Sequence, residues 1–331
     1  MKNLLKKISI ACLVLLLVSC NDDDDSNAQP TITDIATANA DFSILVTALG
    51  RVGLDAVLDG NGQYTVFAPT NAAFNSFLSA NGFADIQSVP EATLKSILLN
   101  HVLGAEIKSN AIVTSYASTL SPINSNMNAP TISMFIQLSG TTVTLNGGVD
   151  NSGAVVTTAD IDASNGVIHI INRVIALPTL VNHVVANPEF DTLQAVVTSG
   201  PNGTYGDQSA VLASLSSITA ALPATLFAPN NTALVNATTG TGFAVGATPA
   251  QITKVLQYHV TLAGNVRSDQ LTNNQTIPMI TSPVQNTTAI LGTGTVDIRD
   301  TAANLARVVV ADIQCANGVI HGINRVLQPA L

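Results

Sequence analysis

A ten-residue run occurs twice in this chain, and no other feature limits its possible folds so strongly. Asn165-Gly-Val-Ile-His-Ile-Ile-Asn-Arg-Val174 returns as Asn317-Gly-Val-Ile-His-Gly-Ile-Asn-Arg-Val326, with nine of ten positions the same and Ile170 standing against Gly322. At a separation of 152 residues, such agreement marks two copies of one domain rather than biased composition. The run reads as a strand entered through an Asn-Gly turn, where glycine accepts backbone angles other residues resist. Its Val/Ile content suits a strand that is apolar on both faces. A strand buried on both sides belongs near the middle of a sheet, so each domain is expected to be built around this one.

The rest of each repeat can be laid out from periodicity. Thr31 to Val52 reads as one helix, with Ile32, Ile35, Phe42, Leu45, Val46 and Leu49 near helical spacing and Gly50 and Gly53 ending it. Tyr64 to Pro69 is a short strand, and Thr70-Asn71 caps a helix carrying Phe74, Phe77 and Leu78. Pro90-Glu91 opens another helix, with Leu94, Leu98 and His101-Val102 on its apolar side. From about Glu106 short alternating runs predict strands at Thr131–Leu138, Thr141–Leu145 and Ala154–Ile161, separated by Gly- and Asn-rich turns. Helices first and strands after is an α+β layout. The second copy restates the pattern: Thr179–Thr198 matches Thr31–Gly50, the segment from Thr225 matches that from Thr65, and Gln257-Tyr-His-Val260 matches Leu99-Asn-His-Val102. It also carries a longer excursion, Pro201 to Leu222, read as a loop and a place for contacts. The join near Leu177-Pro178 is short and predicts domains held close.

The N-terminus reads as an export signal. Lys2, Lys6 and Lys7 precede an apolar stretch from Ile8 to Val18, too short for a membrane span. Leu17-Val-Ser-Cys20 resembles a bacterial lipobox, which implies a signal over residues 1–19 and a lipid on Cys20. Residues 20–30, with Asp22 to Asp25, then form an acidic tether of about 30 Å at most. Acidic runs behind a lipidated cysteine resemble an export signal to the outer face of the outer membrane. The implied location is lipid-anchored to that membrane and surface-exposed, with the periplasmic face as the alternative. Cys12 leaves with the signal and Cys20 carries lipid, so Cys315 is the one mature thiol; opposite Ala163 in the repeat, it reads as buried and inert.

Both Thr65-Val-Phe-Ala-Pro-Thr-Asn with Phe74 and the Asn165–Val174 run, with a His-bearing helix end between them, resemble the fasciclin domain, and both recur in the second copy. The resemblance covers 31–177 and 178–331. It implies two tandem α+β domains, each a wedge-like β-sandwich of about seven strands with helices packed along one edge. The family's Tyr-His pair stands as Tyr258-His259 but as Asn100-His101 in the first copy, and the Asp common after the closing Ile segment is Asn172 and Asn324. With no Arg-Gly-Asp either, an integrin-binding role tied to those segments does not carry over.

Charge and composition narrow the function. Removal of the signal leaves 9 basic against 21 acidic residues, which disfavours nucleic acid as a partner. The family-motif side chains His101, His169, Tyr258, His259 and His321 read as structural, each imidazole hydrogen-bonded in a core, because a polar group on an apolar element must find a partner. His183 faces no histidine in the first copy, where Ile35 aligns, and is expected at the surface. No zinc-like ligand spacing occurs. Asp160-Ile-Asp162 fails the calcium-loop pattern at its glycine and twelfth position, and reads as a turn. No nucleophile elbow, phosphate loop or dinucleotide fingerprint is present. The reading is a cofactor-free, non-enzymatic surface protein, engaging extracellular protein or polysaccharide in adhesion. The alternative is a structural or accessory envelope protein docked to another surface protein.

Overall fold

The computed structural model describes residues 29–60, 62–124, 129–239 and 247–331. The signal sequence, Cys20 and the acidic tether up to residue 28 lie outside them.

The first domain begins with α1 (Ile32–Ala38) and α2 (Ser43–Val52), where the sequence predicts one helix. Asn39 interrupts it: its backbone is extended, and its side chain accepts from the Asp41 N–H to start a short 3₁₀ turn. The two pieces consequently bend by 104° and wrap one end of the domain. After α3 (Asp55–Leu58) come β1 (Tyr64–Pro69), α4 (Asn71–Ala80), α5 (Glu91–Leu99) and β2 (Val102–Leu103). Thr70 caps α4 through the Ala73 N–H as expected, while Pro90 sits at the N-cap of α5, one place before the predicted first turn. Then β3 (Ser115–Pro122), β4 (Thr131–Ser139), β5 (Thr142–Leu145), β6 (Ala154–Ala163) and β7 (Gly166–Ile171) run as an antiparallel meander.

The closing strand β7 lies parallel to β1 with Ile168 opposite Val66 and His169 opposite Phe67. That pairing joins the two ends of the meander, and the seven strands close into a barrel. The repeated run is thus the seam of the domain. Its alternation serves two cores at once: Ile168, with Val66 and Ala68, faces the helices among Phe42, Leu45, Phe74 and Leu98. Ile171, with Phe67, faces the barrel interior among Leu103, Met134, Ile136 and Leu145. Gly166 is required at the seam. A Cβ there would stand 2.0 Å from the Tyr64 carbonyl oxygen at a φ of +141°.

The second domain repeats the circuit with α6 (Leu180–Ala186), α7 (Asp191–Val197), α8 (Ser209–Ser216), β8 (Ala224–Pro229), α9 (Asn231–Thr239), α10 (Pro249–Gln257) and β9 (Val260–Thr261). Strands β10 (Thr276–Pro278), β11 (Asn286–Gly292), β12 (Thr295–Arg299), β13 (Leu305–Cys315) and β14 (Gly318–Ile323) complete it. Here the sheet runs β10-β11-β12-β13-β14-β8-β9 and stays open between its ends, although the Ile280 N–H reaches the Val260 carbonyl across the gap at 3.0 Å. The excursion at 201–222 is not a free loop. It contains α8, whose Val211 and Leu215 are buried in the helical core of this domain. Its i, i+4 apolar pair was visible, but short Gly- and Ser-rich flanks masked it.

The domains touch directly. Asn151 and Asn182 exchange side-chain bonds, Nδ2 of Asn151 reaching the Asn182 carbonyl at 2.7 Å and Nδ2 of Asn182 reaching Asn151 Oδ1 at 3.0 Å. Asn187 Nδ2 donates to the Tyr116 hydroxyl at 3.2 Å, and the Gln314 N–H donates to Ser133 Oγ at 2.9 Å.

Candidate functional site

Many polar side chains inside each domain bond backbone groups at the ends of helices and strands and in the loops between them. His101 caps the end of α5: Nδ1 donates to the Ile97 carbonyl at 2.7 Å, and Nε2 accepts from the Ile175 N–H at 2.9 Å. His259 does the same with the Val255 carbonyl at 2.7 Å and the Leu327 N–H at 2.9 Å. Each ring therefore ties a helix end to the segment leaving the closing strand, as a neutral imidazole with its proton on Nδ1. Burial pushes both down to about 4, against the pull of the Ile97 and Val255 carbonyls.

His169 and His321 make a second repeated tie. His169 Nε2 donates to the Ile107 carbonyl at 2.9 Å and Nδ1 accepts from the Asp160 N–H at 3.2 Å. His321 uses the Val266 carbonyl at 2.9 Å and the Asp312 N–H at 3.4 Å, and burial holds it below its usual range. Asp160 and Asp312 sit at positive φ, 61° and 59°, where β6 and β13 bulge. Their carboxylates accept from the backbone N–H of Ser109 and Ser268 at 2.7 and 2.8 Å and from the hydroxyls of the same serines. Burial alone would raise Asp160, but the Ser109 bonds outweigh it and its carboxyl lies below the usual range.

Serine, aspartate and histidine thus converge twice, in an order that cannot relay a proton. The hydroxyl bonds the carboxylate, and both imidazole nitrogens bond main chain, leaving no imidazole nitrogen to act as base on the serine. Among the described residues no three His, Cys, Asp or Glu side chains converge as a metal group would require. Asp162, the other acid of the rejected calcium loop, pairs with Lys108 at 3.0 Å instead.

Tyr258 is fully buried and its hydroxyl donates to the Asn286 carbonyl at 2.7 Å. Asn100 takes its place in the first domain, donating to the Ala176 carbonyl at 3.2 Å and leaving Oδ1 without a partner. Asn172 and Asn324, the departures from the family's Asp, accept from the N–H of Val155 and Arg307 at 2.9 Å each. An oxygen acceptor suffices there, and amide or carboxylate supplies it equally.

Several residues of this framework escaped the sequence reading. Asn165 Oδ1 accepts from the Ile32 N–H at 3.0 Å while Nδ2 donates to the Leu58 and Gly60 carbonyls at 2.5 and 3.2 Å. Asn317 serves the Leu180 N–H and the Ile218 carbonyl in the same way, at 2.9 and 3.0 Å. Thr65 and Thr225 each bridge a carbonyl and an N–H of the loop after the short second strand. Their recurrence in both copies was the available signal. The Asn165-Gly turn hides a side chain that acts over long range.

His183 corrects an expectation. It is fully buried, not exposed, and neither ring nitrogen has a hydrogen-bond partner. It lies at the junction of the two domains with the Tyr116 ring 5.4 Å away, edge to face, and Tyr116 in turn 4.9 Å from Phe135. Position 183 was expected at the surface because no histidine stands opposite it in the first copy, and Tyr116 and Ser133 of the neighbouring domain help to cover it. Burial pushes its imidazole down to about 4, opposed by backbone of Ser133 and Gln314 that lies near without completing a bond. Cys315 is buried as expected, and burial pushes its thiol well up.

A seven-stranded circuit sealed by a parallel seam, helices over one side, and the whole unit doubled define an α+β domain pair. The chain belongs to the fasciclin domain family, whose model matches residues 40–178 and 204–329. Protein sll1483 of Synechocystis is similar, 32% identical over 158 residues, covering 46% of this chain and 77% of that protein. Transforming growth factor-beta-induced protein ig-h3 of Sus scrofa is 31% identical over 150 residues, 45% of this chain and 20% of that longer protein. The fold resembles the solved FAS1 domain pair of the insect cell adhesion molecule fasciclin I, with a TM-score of 0.51 at 18% identity, over 87% of this chain and 95% of that one.

Proposed function

We propose that this chain is a lipid-anchored cell-surface protein whose fasciclin pair mediates adhesion by binding an extracellular protein or glycan. The observation that carries the reading is the fate of the histidines. In a family whose solved insect member is a cell adhesion molecule, the four repeated imidazoles of this chain are all consumed by backbone bonds. What remains for function is the surface of the domain pair. Anchoring rests on the order of Lys2, Lys6, Lys7, an apolar stretch, Ser19 and Cys20, and on the ~0.8 kcal/mol that each buried methylene of an acyl chain contributes. Display on the outer face rests on the acidic run behind Cys20.

The test uses the chain from Pro30 to Leu331, immobilised and offered purified matrix proteins, polysaccharides and surface-protein extract. Saturable binding to an isolated ligand supports adhesion. Failure with every isolated ligand, together with stoichiometric capture of a single envelope protein, replaces it with the accessory role. Deleting 201–222 would remove the core helix α8 and is not a usable control. Substitution of exposed Asn202, Thr204 and Leu222 probes the same surface. In cells, Cys20→Ala abolishes incorporation of labelled palmitate if the anchor is correct, and undiminished labelling refutes it.

A further inference from the structure

The two repeats share their internal ties almost residue for residue, and they diverge where the domains meet. His183 replaces Ile35, Asn182 replaces Asp34, and Gln314 and Cys315 replace Asp162 and Ala163. On the other side, Tyr116 pairs with Phe135 across β3 and β4, where the matching strands of the second domain pair Thr276 with Thr288. The aromatic face therefore exists once, on the first domain, and the buried histidine once, on the second. Each differs from its counterpart in chemistry suited to this contact. A histidine in place of isoleucine lowers the worth of a dry site, because it brings two ring nitrogens and gives neither a hydrogen-bond partner; Gln314 likewise leaves its Oε1 without one.

We propose that His183 makes the junction an acid-labile latch: uptake of a proton by its imidazole parts the two domains while each keeps its own fold. No carboxylate pairs with it, and the nearby backbone of Ser133 and Gln314, which favours an imidazolium, is outweighed by burial. From β3 it meets Tyr116, whose phenol burial pushes up, and on β13 stands Cys315, whose thiol is pushed up likewise, so both stay neutral in acid. From β4 come Ser133 and Phe135, which carry no charge. Helix α8 holds no charged residue, and His321 on β14 is bound to the Val266 carbonyl. Asp150, Glu189 and Asp191, on the elements flanking α6, are all exposed. A charge on His183 is therefore better satisfied by water than by the closed junction, and water reaches it when the domains separate.

With the closed-state imidazole at about 4 and the ordinary value at 6.5, the sign is fixed. The closed junction is fully favoured above pH 6.5 and loses ground as pH falls toward 4. Between pH 7.5 and 4.5 the closing constant drops roughly 70-fold by linkage from those two values. His101 and His259 titrate over the same range inside each domain, so the measurement must separate opening from unfolding.

The chain from Pro30 onward, which carries every element described, is followed by small-angle scattering and far-ultraviolet circular dichroism from pH 7.5 to 4.5. The wild type is expected to expand with unchanged dichroism. His183→Ile, which installs the first domain's own residue, and His183→Gln are expected to stay compact. Tyr116→Ala, made from the opposite side, is expected to be expanded already at pH 7.5 and to show no acid step. A wild type that stays compact at pH 4.5 overturns the proposal. So does one whose dichroism collapses along with its dimensions. Expansion of either His183 variant at the wild-type pH overturns it too.

Discussion

Asn165 gives the most direct test of how these domains are held. Replacing it by alanine removes bonds to the Ile32 N–H and to the carbonyls of Leu58 and Gly60, at a side chain only 5% exposed. The partners belong to the start of α1 and to the end of α3 with the turn behind it, so one amide ties two distant segments to the seam. Two of the orphaned groups, the Ile32 N–H and the Leu58 carbonyl, are buried, and an unpaired buried backbone group costs about 1–3 kcal/mol. The expected loss is about 4 kcal/mol, or on the order of 10 °C in the melting temperature of a domain of this size. Asn165→Asp has the same shape but loses both donors and turns a carboxylate toward two carbonyls. It should cost at least as much at pH 7 and recover part of the loss in acid, where the protonated carboxyl can donate once. Urea unfolding of both variants is the assay, with the second domain's transition as an internal reference. An alanine variant within about 1 kcal/mol of wild type would refute the account, since an unmade bond to a buried group should not come so cheaply.

Other outcomes follow from the same geometry. His101→Gln or His259→Gln should flatten the acid loss of stability in its own domain. Each ring, held at about 4 against 6.5, contributes stability present above pH 6.5 and lost toward pH 4, up to about 3 kcal/mol; an acid limb unchanged by the substitution contradicts this. Leu215→Ala in α8 should destabilise the second domain by about 2–5 kcal/mol in denaturant and leave the first alone, whereas a free loop would show no effect. Gly166→Ala should weaken the β1–β7 seam severely, because its Cβ meets the Tyr64 carbonyl at 2.0 Å; wild-type stability by thermal melting would show that the strands are not so close. Cys315 should resist thiol reagents at pH 8 until the chain is unfolded, its thiol being buried and pushed well up, and rapid native labelling would count against that.

Much of this was legible before any coordinates. The Tyr64–Pro69 strand, the Thr70 cap, the main strands and the buried, hydrogen-bonded histidines all follow from local pattern and from the rule that buried polar groups need partners. The misses share one cause. Asn39 reads as an ordinary helix residue until its neighbours offer α1 and α2 different surfaces to cover. Positions 201–222 read as loop because a two-turn helix with one buried pair leaves little periodic signal. His183 reads as solvent-facing because no histidine stands opposite it in the first copy, and its covering surface lies in the other domain.

By itself the sequence determined the duplication, the α+β class, the seam strand and the four histidine ties, because each is written in short-range patterns and written twice. Repetition also showed which polar residues belong to the fold, since a side chain that serves the same backbone group in both copies recurs with it. Tertiary structure alone decided which of those polar residues meet and what the two domains do to each other. Closure of the first barrel depends on pairing Leu103 with Thr119 across a long loop, and the second sheet stays open although its sequence follows the same plan. The burial of His183 depends on Tyr116, 67 positions away in the other domain. Burial is a property of the assembled surface, and a residue's own segment carries no record of which distant surface will cover it.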